Sequence, residues 1–178
     1  NVSSSDQFIK PYIAYCGSSS FKGDGVDILI RSFSSIAGEY PNLTLYIAAF
    51  WEVDGEKMIK LINDTGMNGR IKYIGTLGRE EVPSFLINAQ ILALPRPDSR
   101  QARGGFPTKL GEYLASRNPV CVSGVGEIPK FLTDNISAFM SIPGDIASFT
   151  DSLRRALCNE SNAIRVGENG RRIAEEYF

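Results

Sequence analysis

The residues of this chain whose types and spacing could do chemistry are concentrated in one stretch near position 105. A glycine pair, Gly104 and Gly105, leads through Phe106 to Pro107 and Thr108, and a helical pattern follows. Proline suits the first turn of a helix because its missing N–H would be unpaired there anyway. Glycine lets backbone amides come close to a ligand, and free amides at a helix start attract phosphate. The stretch therefore predicts a phosphate-binding helix start.

Two charged residues lie inside that predicted helix. Lys109 and Glu112 are three positions apart, and residues with this spacing share a helical face. The stretch thus offers an anion site, a cation and a carboxylate, which are the partners that a nucleoside diphosphate joined to a sugar needs for its phosphates and ribose hydroxyls. The alternative interpretation is an ordinary helix start with an exposed ion pair worth about 0.3 kcal/mol.

Composition limits the classes of function. The 178 residues are 43% hydrophobic and 22% charged, as expected for one soluble globular domain. The net charge of -1 gives no basic excess that would favour a nucleic-acid partner. The chain contains no histidine, which excludes a Ser-His-Asp triad, a Cys-His pair and His-ligated zinc. We also expect no metal site from other side chains.

The cysteines and the apolar runs bear on location. Cys16, Cys121 and Cys158 are odd in number and scattered, which is typical of free thiols in a reducing compartment. No apolar run approaches the roughly 20 residues of a membrane span, and we expect no signal peptide. The chain starts at Asn1 rather than at methionine, so we expect a fragment or a processed chain. These features together predict a cytoplasmic location.

Short apolar runs alternate with helical patterns along the chain. This alternation predicts an α/β fold, a doubly wound parallel sheet covered by helices on both faces. We expect residues 1–11, which are polar and serine-rich, to be a linker, and residues 12–178 to form one Rossmann-like domain. The predicted strands cover residues 12–16, 43–50, 70–74, 91–95, 119–122 and 138–142. The predicted helices cover residues 26–36, 55–63, 80–89, a segment around position 112, residues 128–132 and 146–157, and one or two segments from residue 160 onwards.

Ligands of such sheets bind beyond the carboxyl ends of the strands, so the loops at that edge are the candidates. The loop at residues 17–25 is rich in glycine and serine, and its Gly17, Ser18 and Lys22 could cradle phosphate. The alternative for this loop is a flexible turn. Residues 96–103 carry three arginines, which suit phosphate contacts unless the loop is simply solvated.

Three further features border the same edge. The loop at residues 75–79 could contact a nucleobase edge with its backbone, or could be a simple turn between a strand and a helix. Residues 123–129 offer backbone amides, or merely enter a helix. Trp51 could stack on a ring of the ligand, although a tryptophan is more often partly buried core.

Taken together, these residues resemble a known family. The run Gly-Phe-Pro-Thr-Lys-Leu-Gly-Glu-Tyr-Leu-Ala at residues 105–115 resembles the carboxyl-terminal domain of retaining glycosyltransferases with the GT-B fold, the large group 1 or family four set. The other matching stretches are residues 15–17, 25–30, 119–120, 125–129, 134–135 and 143–145. In that family two Rossmann-like domains face each other, and the carboxyl-terminal one binds the nucleotide-sugar donor. The resemblance covers nearly the whole chain.

The resemblance implies roles for individual residues. Glu112 matches the family glutamate that contacts the ribose hydroxyls. Gly104 stands where the family has a first glutamate, eight positions earlier, that contacts the donor sugar, so one carboxylate is missing. Ser18 stands where an arginine is common, and Lys22 matches a nearby lysine. Lys109 supplies part of the missing positive charge.

The resemblance also implies partners. The amino-terminal domain, which usually carries the acceptor site, is absent from this chain. The acceptor is expected to be a glycan or a lipid-linked glycan, and the absent domain could hold the protein peripherally at the inner face of a membrane. The donor is a nucleoside-diphosphate sugar, and no cofactor is expected.

The expected function is therefore the donor-binding half of a retaining glycosyltransferase. Its main task is to stabilise the leaving diphosphate, and the candidates are the amides of Gly105 and Phe106 with Lys109 and Lys22. One alternative is a non-catalytic nucleotide-sugar-binding or scaffold domain, which Gly104 favours. Another is an unrelated Rossmann-like sensor of phosphorylated ligands. We expect the isolated chain to bind donor but to transfer no sugar.

Overall fold

The strands form one parallel sheet. The computed structural model describes residues 8–51, 54–104 and 108–178. Within them, six strands stand in the order β3-β2-β1-β4-β5-β6, and each neighbouring pair is parallel. The strands are β1 (Tyr12–Ser18), β2 (Thr44–Phe50), β3 (Ile71–Gly75), β4 (Ile91–Leu94), β5 (Val120–Ser123) and β6 (Phe139–Ser141). The helices are α1 (Val26–Ile36), α2 (Gly55–Asp64), α3 (Val82–Ile87), α4 (Arg100–Arg103), α5 (Thr108–Ala115), α6 (Ile128–Phe131), α7 (Ile146–Cys158) and α8 (Glu160–Tyr177).

Burial on both sides of the sheet explains why its strands are apolar. In β1, Ile13 and Tyr15 belong to one core cluster, whereas Tyr12 and Ala14 belong to the other, because successive side chains of a strand point to opposite faces. Helices α1, α2 and α7 cover the first cluster, α3 and α5 cover the second, and α8 contributes to both. The predicted doubly wound α/β fold is confirmed.

The strand order locates the crevice where ligands bind in such sheets. The chain runs outward from β1 to β2 and β3, then crosses to β4 and continues outward to β5 and β6. Ligands of open parallel sheets bind where this order reverses, at the carboxyl ends of the strands. The crevice therefore lies between the loops that follow β1 and β4.

Gly25 brings those two loops into contact. Its φ is 71°, and a Cβ placed on it would lie 1.9 Å from the carbonyl oxygen of Pro95. Only glycine meets both conditions without strain. Helix α1 therefore begins directly against the chain that leaves β4.

Some predicted boundaries are wrong. Strand β1 continues through Ser18, which shortens the first loop, and α3 begins later than expected because Pro83 occupies its first turn. The loop predicted over residues 96–103 contains the short helix α4, because the Ser99 hydroxyl accepts a hydrogen bond from the Ala102 amide at 3.0 Å and caps it. The carboxyl-terminal segment forms a single helix, α8.

The predicted linker is only partly described. Its residues 1–7 lie outside the described part of the chain. Phe8 is buried, and its ring lies 4.9 Å from that of Phe85 and 5.2 Å from that of Tyr46. Phe8 therefore belongs to the second core cluster.

Candidate functional site

The first loop, residues 19–24, is held closely at the crevice. Its Phe21 amide donates to the carboxylate of Asp54 at 3.0 Å, which attaches the loop to the start of α2. The hydroxyl of Ser99 donates to the carbonyl oxygen of Lys22 at 2.7 Å, which attaches it to the loop after β4. The backbone of this loop is thus hydrogen-bonded on both sides, and the choice between a phosphate cradle and a flexible turn stays a prediction. The side chain of Lys22 is exposed to solvent.

A carboxylate that the sequence interpretation missed organises this loop. Asp24 forms an ion pair with Lys109 of α5. Its Oδ2 atom also accepts from the Ser18 amide at 3.2 Å and the Ser18 hydroxyl at 3.0 Å, and the Tyr15 hydroxyl lies 3.0 Å from the same atom. Burial raises the pKa of Asp24. Lys109 and the Ser18 hydrogen bonds lower it by more, so the pKa of Asp24 lies below its usual value.

Gly17 allows Lys109 to approach the end of β1. A Cβ placed on Gly17 would lie 2.6 Å from Lys109 Nζ and 2.5 Å from the Tyr15 hydroxyl. Any side chain at this position would therefore displace the lysine or the tyrosine. Gly17, Ser18 and Lys109 thus lie near one another, and whether they bind phosphate stays a prediction.

Glu112 lies one turn further along α5 and borders an open cleft. The cleft has a volume of about 390 Å³ and lies between α3 and α5. Its lining is mostly apolar, with Arg79 and Glu112 as its charged members; the lining residues are Cys16, Arg79, Val82, Pro83, Leu86, Ile87, Glu112, Ala115 and Ser116. Glu112 is exposed, and within the described residues its carboxylate forms no hydrogen bond or ion pair.

Cys16 shows that Lys109 and Glu112 face the same region. Burial raises the pKa of the Cys16 thiol, the charge of Lys109 lowers it and that of Glu112 raises it again, with a net rise. Cys16 is also tied to α5, because its amide donates to the buried Tyr113 hydroxyl at 2.7 Å and its carbonyl oxygen accepts from that hydroxyl at 3.1 Å. Cys16 therefore lies near both charged residues of α5, and it lines the cleft beside Glu112.

A second groove lies on the other side of α5. It has a volume of about 470 Å³ and lies between α5 and α8. Thr108 and Glu112 border it from α5, while Arg171, Glu175 and Phe178 border it from the carboxyl-terminal segment. Glu112 thus lies on the ridge between two clefts, and the apolar cleft towards α3 is the one that also contains Cys16.

Two of the three arginines after β4, Arg96 and Arg103, have different surroundings. Arg96 is buried, and its Nε lies 3.5 Å from the Gly23 carbonyl oxygen of the first loop. Burial lowers the pKa of Arg96, while the nearby Asp24 opposes that change. Arg103 is exposed and forms a two-pronged pair with Asp98, with Nη2 to Oδ2 at 2.6 Å. Arg96 therefore lies against the backbone of the first loop, and Arg103 is paired with Asp98 at the surface.

Gly104 ends α4 with an ordinary backbone. Its φ is −77°, and a Cβ placed on it would meet the Arg100 carbonyl oxygen at 3.3 Å as its nearest contact. The missing carboxylate is therefore not imposed by backbone conformation. The predicted phosphate-binding residues Gly105, Phe106 and Pro107 lie outside the described residues, and Thr108 is exposed at the first position of α5.

Trp51 is exposed rather than buried in the core. Its side chain is 54% exposed, its ring centroid lies 5.9 Å from that of Tyr73, and it covers Gly55 closely enough that a Cβ there would lie 2.3 Å from the ring. The ring is therefore partly covered, by Tyr73 and by the start of α2. Its proposed stacking on a ligand ring stays a prediction.

Within residues 8–51, 54–104 and 108–178, no three Asp, Glu, Cys or His side chains lie close enough together to hold a metal ion. No helix among those residues is both long and apolar enough to cross a bilayer.

A doubly wound sheet with a cleft at its reversal point defines the class of this domain as Rossmann-like. The chain matches the family model of the glycosyl transferases group 1 over residues 10–159, and it belongs to that family. It is 30% identical over 120 residues to the MMP alpha-(1->4)-mannosyltransferase of Mycolicibacterium hassiacum. These aligned residues cover 67% of this chain and 28% of that protein. The chain thus spans less than a third of the length of that relative.

Solved structures agree on the fold. The carboxyl-terminal domain of a glycosyl transferase group 1 family protein, LpcC from Francisella tularensis, has a TM-score of 0.82 at 20% identity, over 94% of this chain and 86% of that one. Anabaena HepE in complex with UDP and glucose has a TM-score of 0.79 at 17% identity, over 94% of this chain and 44% of that one. The fold is that of the carboxyl-terminal domain of a GT-B glycosyltransferase, as the sequence resemblance implied.

Proposed function

We propose that this chain is the donor-binding half of a retaining glycosyltransferase, which moves a sugar from a nucleoside diphosphate to a glycan or lipid-linked acceptor. The observation that carries the proposal is the cleft between α3 and α5, where Glu112, one turn after Lys109, offers a carboxylate that engages none of residues 8–51, 54–104 and 108–178. Family membership makes sugar transfer the chemistry that this arrangement serves.

Each part of the donor has a matching feature. The apolar walls of the cleft suit a nucleobase, and Arg79 at the end of the third loop can cover its face or edge. Glu112 can accept hydrogen bonds from ribose hydroxyls, which are donors. The diphosphate then lies towards Lys109, Gly17 and the start of α5, where positive charge and free amides favour it. A relative of the same fold was solved with UDP and glucose bound.

The chemical step places negative charge on the diphosphate. The bond between the anomeric carbon and the β-phosphate oxygen breaks, its electron pair stays on that oxygen, and the acceptor hydroxyl oxygen forms the new bond to carbon. Lys109, Lys22 and the amides of Gly105 and Phe106 are our candidates for stabilising this charge, since fixed donors near a developing oxyanion lower the barrier most. The proton of the acceptor hydroxyl leaves to solvent or to a phosphate oxygen.

The acceptor is expected to contact a second domain. The matched part covers 28% of the mannosyltransferase relative, and we propose that an amino-terminal domain of the same protein carries the acceptor site. We further propose that the protein works in the cytoplasm and meets a membrane-bound acceptor through that domain. Two facing domains exclude water and hold both substrates in reactive geometry.

Calorimetry with UDP-, GDP-, ADP- and dTDP-sugars tests the binding part of the proposal. We expect one base class to bind to the 178-residue chain, and to bind equally well when a chelator is present. An absolute requirement for magnesium or manganese, or equal affinity for simple phosphorylated compounds, would contradict the proposal, and the second result would favour a general phosphate sensor.

A transfer assay tests the catalytic part. Product formation from radiolabelled donors is expected with the longer protein and not with the 178-residue chain alone. The specific competing function is a non-catalytic nucleotide-sugar-binding domain, which the absence of a carboxylate at Gly104 favours. Tight donor binding without transfer by the longer protein, across acceptor extracts, would establish that alternative.

A further inference from the structure

Asp24 concentrates its contacts on a single oxygen atom. The Ser18 amide, the Ser18 hydroxyl, the Tyr15 hydroxyl and the Lys109 ammonium group all contact Oδ2. These partners come from β1 and its end and from the first turn of α5. The Asp24 side chain is 14% exposed, so this arrangement is partly withdrawn from solvent. One carboxylate thus joins the first loop to the helix that carries Glu112.

The charges around Asp24 leave an excess of positive charge. Lys109 faces it from α5, and the buried Arg96 lies near it from the chain that follows β4. Tyr15 and Tyr113 are also titratable neighbours, and burial together with the Asp24 charge raises the pKa of each, so both stay neutral. Asp24 and its two cationic neighbours together carry a net charge of about +1, so positive charge remains beside Lys109 to attract a phosphate group.

The position of the Lys109 amine is restricted on three sides. Asp24 binds it, the Tyr15 ring centroid lies 5.9 Å from Nζ, and Gly17 leaves room for it only because it has no side chain. A free lysine side chain loses considerable rotamer entropy when a ligand orders it. An ammonium group carries three N–H donors, so an amine held by Asp24 keeps donors for a ligand while that entropy has already been lost.

We propose that Asp24 is a positioning residue, which holds the Lys109 ammonium group over Gly17 so that it meets the donor diphosphate in a preformed place. This inference rests on the proposed function, because it assigns the diphosphate to Lys109. Asp24 itself contacts no substrate. Its effect on binding therefore passes through Lys109 alone.

Asp24→Asn is the variant that isolates this role. An asparagine amide oxygen can replace Oδ2 as acceptor for Ser18 and Tyr15, but it carries no charge to hold Lys109. With UDP as the probe, we expect the Kd to rise about tenfold, equal to about 1.4 kcal/mol. Asp98→Asn is the matched control, because it removes a carboxylate from the neighbouring loop that pairs with Arg103; its Kd should stay within twofold.

The same substitution in a Lys109→Met background separates positioning from simple structural support. If Asp24 acts through Lys109, Asp24→Asn should change the Kd of the Lys109→Met protein by less than twofold. An undiminished tenfold loss in that background would overturn the proposal, since Asp24 would then act through the fold or through another residue. Double-mutant cycles measure this coupling directly.

Salt dependence separates positioning from competition. If Asp24 merely competes with the donor for Lys109, Asp24→Asn should bind UDP more tightly at 50 mM salt, and the gain should fade at 500 mM because salt screens repulsion between charges. That result would overturn the proposal. Positioning predicts weaker binding of Asp24→Asn at both salt concentrations.

A readout without ligand keeps the inference separate from the proposed function. In an NMR titration the pKa of Asp24 should lie below its usual value in the parent chain, and should rise when Lys109 is changed to methionine. Failure of the parent to bind any of UDP, GDP, ADP and dTDP, with this rise present, would refute the proposed function and leave the pair established. An Asp24 pKa that does not respond to Lys109→Met would refute the positioning inference whatever the binding result.

Discussion

Replacing Glu112 by alanine should weaken nucleotide binding without affecting the fold. The carboxylate is exposed at the cleft and engages no described residue, so its loss breaks no hydrogen bond or ion pair among the described residues. A hydrogen bond to a charged acceptor contributes about 1.5–3 kcal/mol. Because this cleft is open to water, we expect about 2 kcal/mol, or roughly 30-fold in Kd.

Calorimetry with UDP and its 2′-deoxy and 3′-deoxy analogues provides the assay. The parent should prefer UDP over at least one analogue, and Glu112→Ala should remove that preference, since the carboxylate no longer contacts the hydroxyl. Glu175→Ala is the matched control, because Glu175 borders the groove on the opposite side of α5. Unchanged affinity in Glu112→Ala, or a loss confined to Glu175→Ala, would refute the assignment of the ribose to the cleft towards α3.

Three further predictions follow from particular positions. Gly25→Ala should lower the free energy of unfolding, measured in urea, by about 2–5 kcal/mol. The alanine backbone would have to adopt φ 71°, and its Cβ would lie 1.9 Å from the carbonyl oxygen of Pro95. Gly66→Ala, at φ 69° with no atom within 4 Å, should lose only about 1–2 kcal/mol, and equal losses would disprove the steric argument. Gly104→Glu should leave the thermal midpoint within about 2 °C, because φ −77° suits any residue; a larger drop would show that glycine is required. With maleimide at pH 7.5, the exposed Cys158 should react first, and Cys16 should react slowly because it is half-buried and its pKa is raised. Bound UDP should slow the labelling of Cys16 still more. Labelling of Cys16 that UDP does not slow would place the nucleotide elsewhere.

Local sequence patterns were sufficient for the class of fold. Alternation of apolar runs with helical periodicity predicted each of the strands and most of the helices, because burial on both faces of a parallel sheet leaves a continuous apolar run in each strand. The pattern failed where a few polar contacts decide the conformation. Helix α4 depends on the Ser99 cap, and the carboxyl end of strand β1 depends on the pairing of Ser18 with Phe50 in β2.

The candidate site divides in the same way. The spacing of Lys109 and Glu112 on one helix follows from local geometry and was predicted, whereas their place beside the loop after β1 was not. Asp24 was missed, although it lies between two glycines in that loop, because nothing in its own neighbourhood distinguishes an organising carboxylate from a solvated turn residue. Its partner Lys109 is 85 positions away.

By itself, the sequence determined the family, the layered α/β fold and the helix on which the candidate binding residues stand, since periodicity and motif spacing act within a few residues along the chain. The tertiary structure alone decided that Lys109 is held by Asp24 over Gly17 and that Glu112 remains unengaged among the described residues at the mouth of a cleft between α3 and α5. These features depend on distances between elements that are far apart in sequence. Such distances are set only when the strands pair and the helices pack on them.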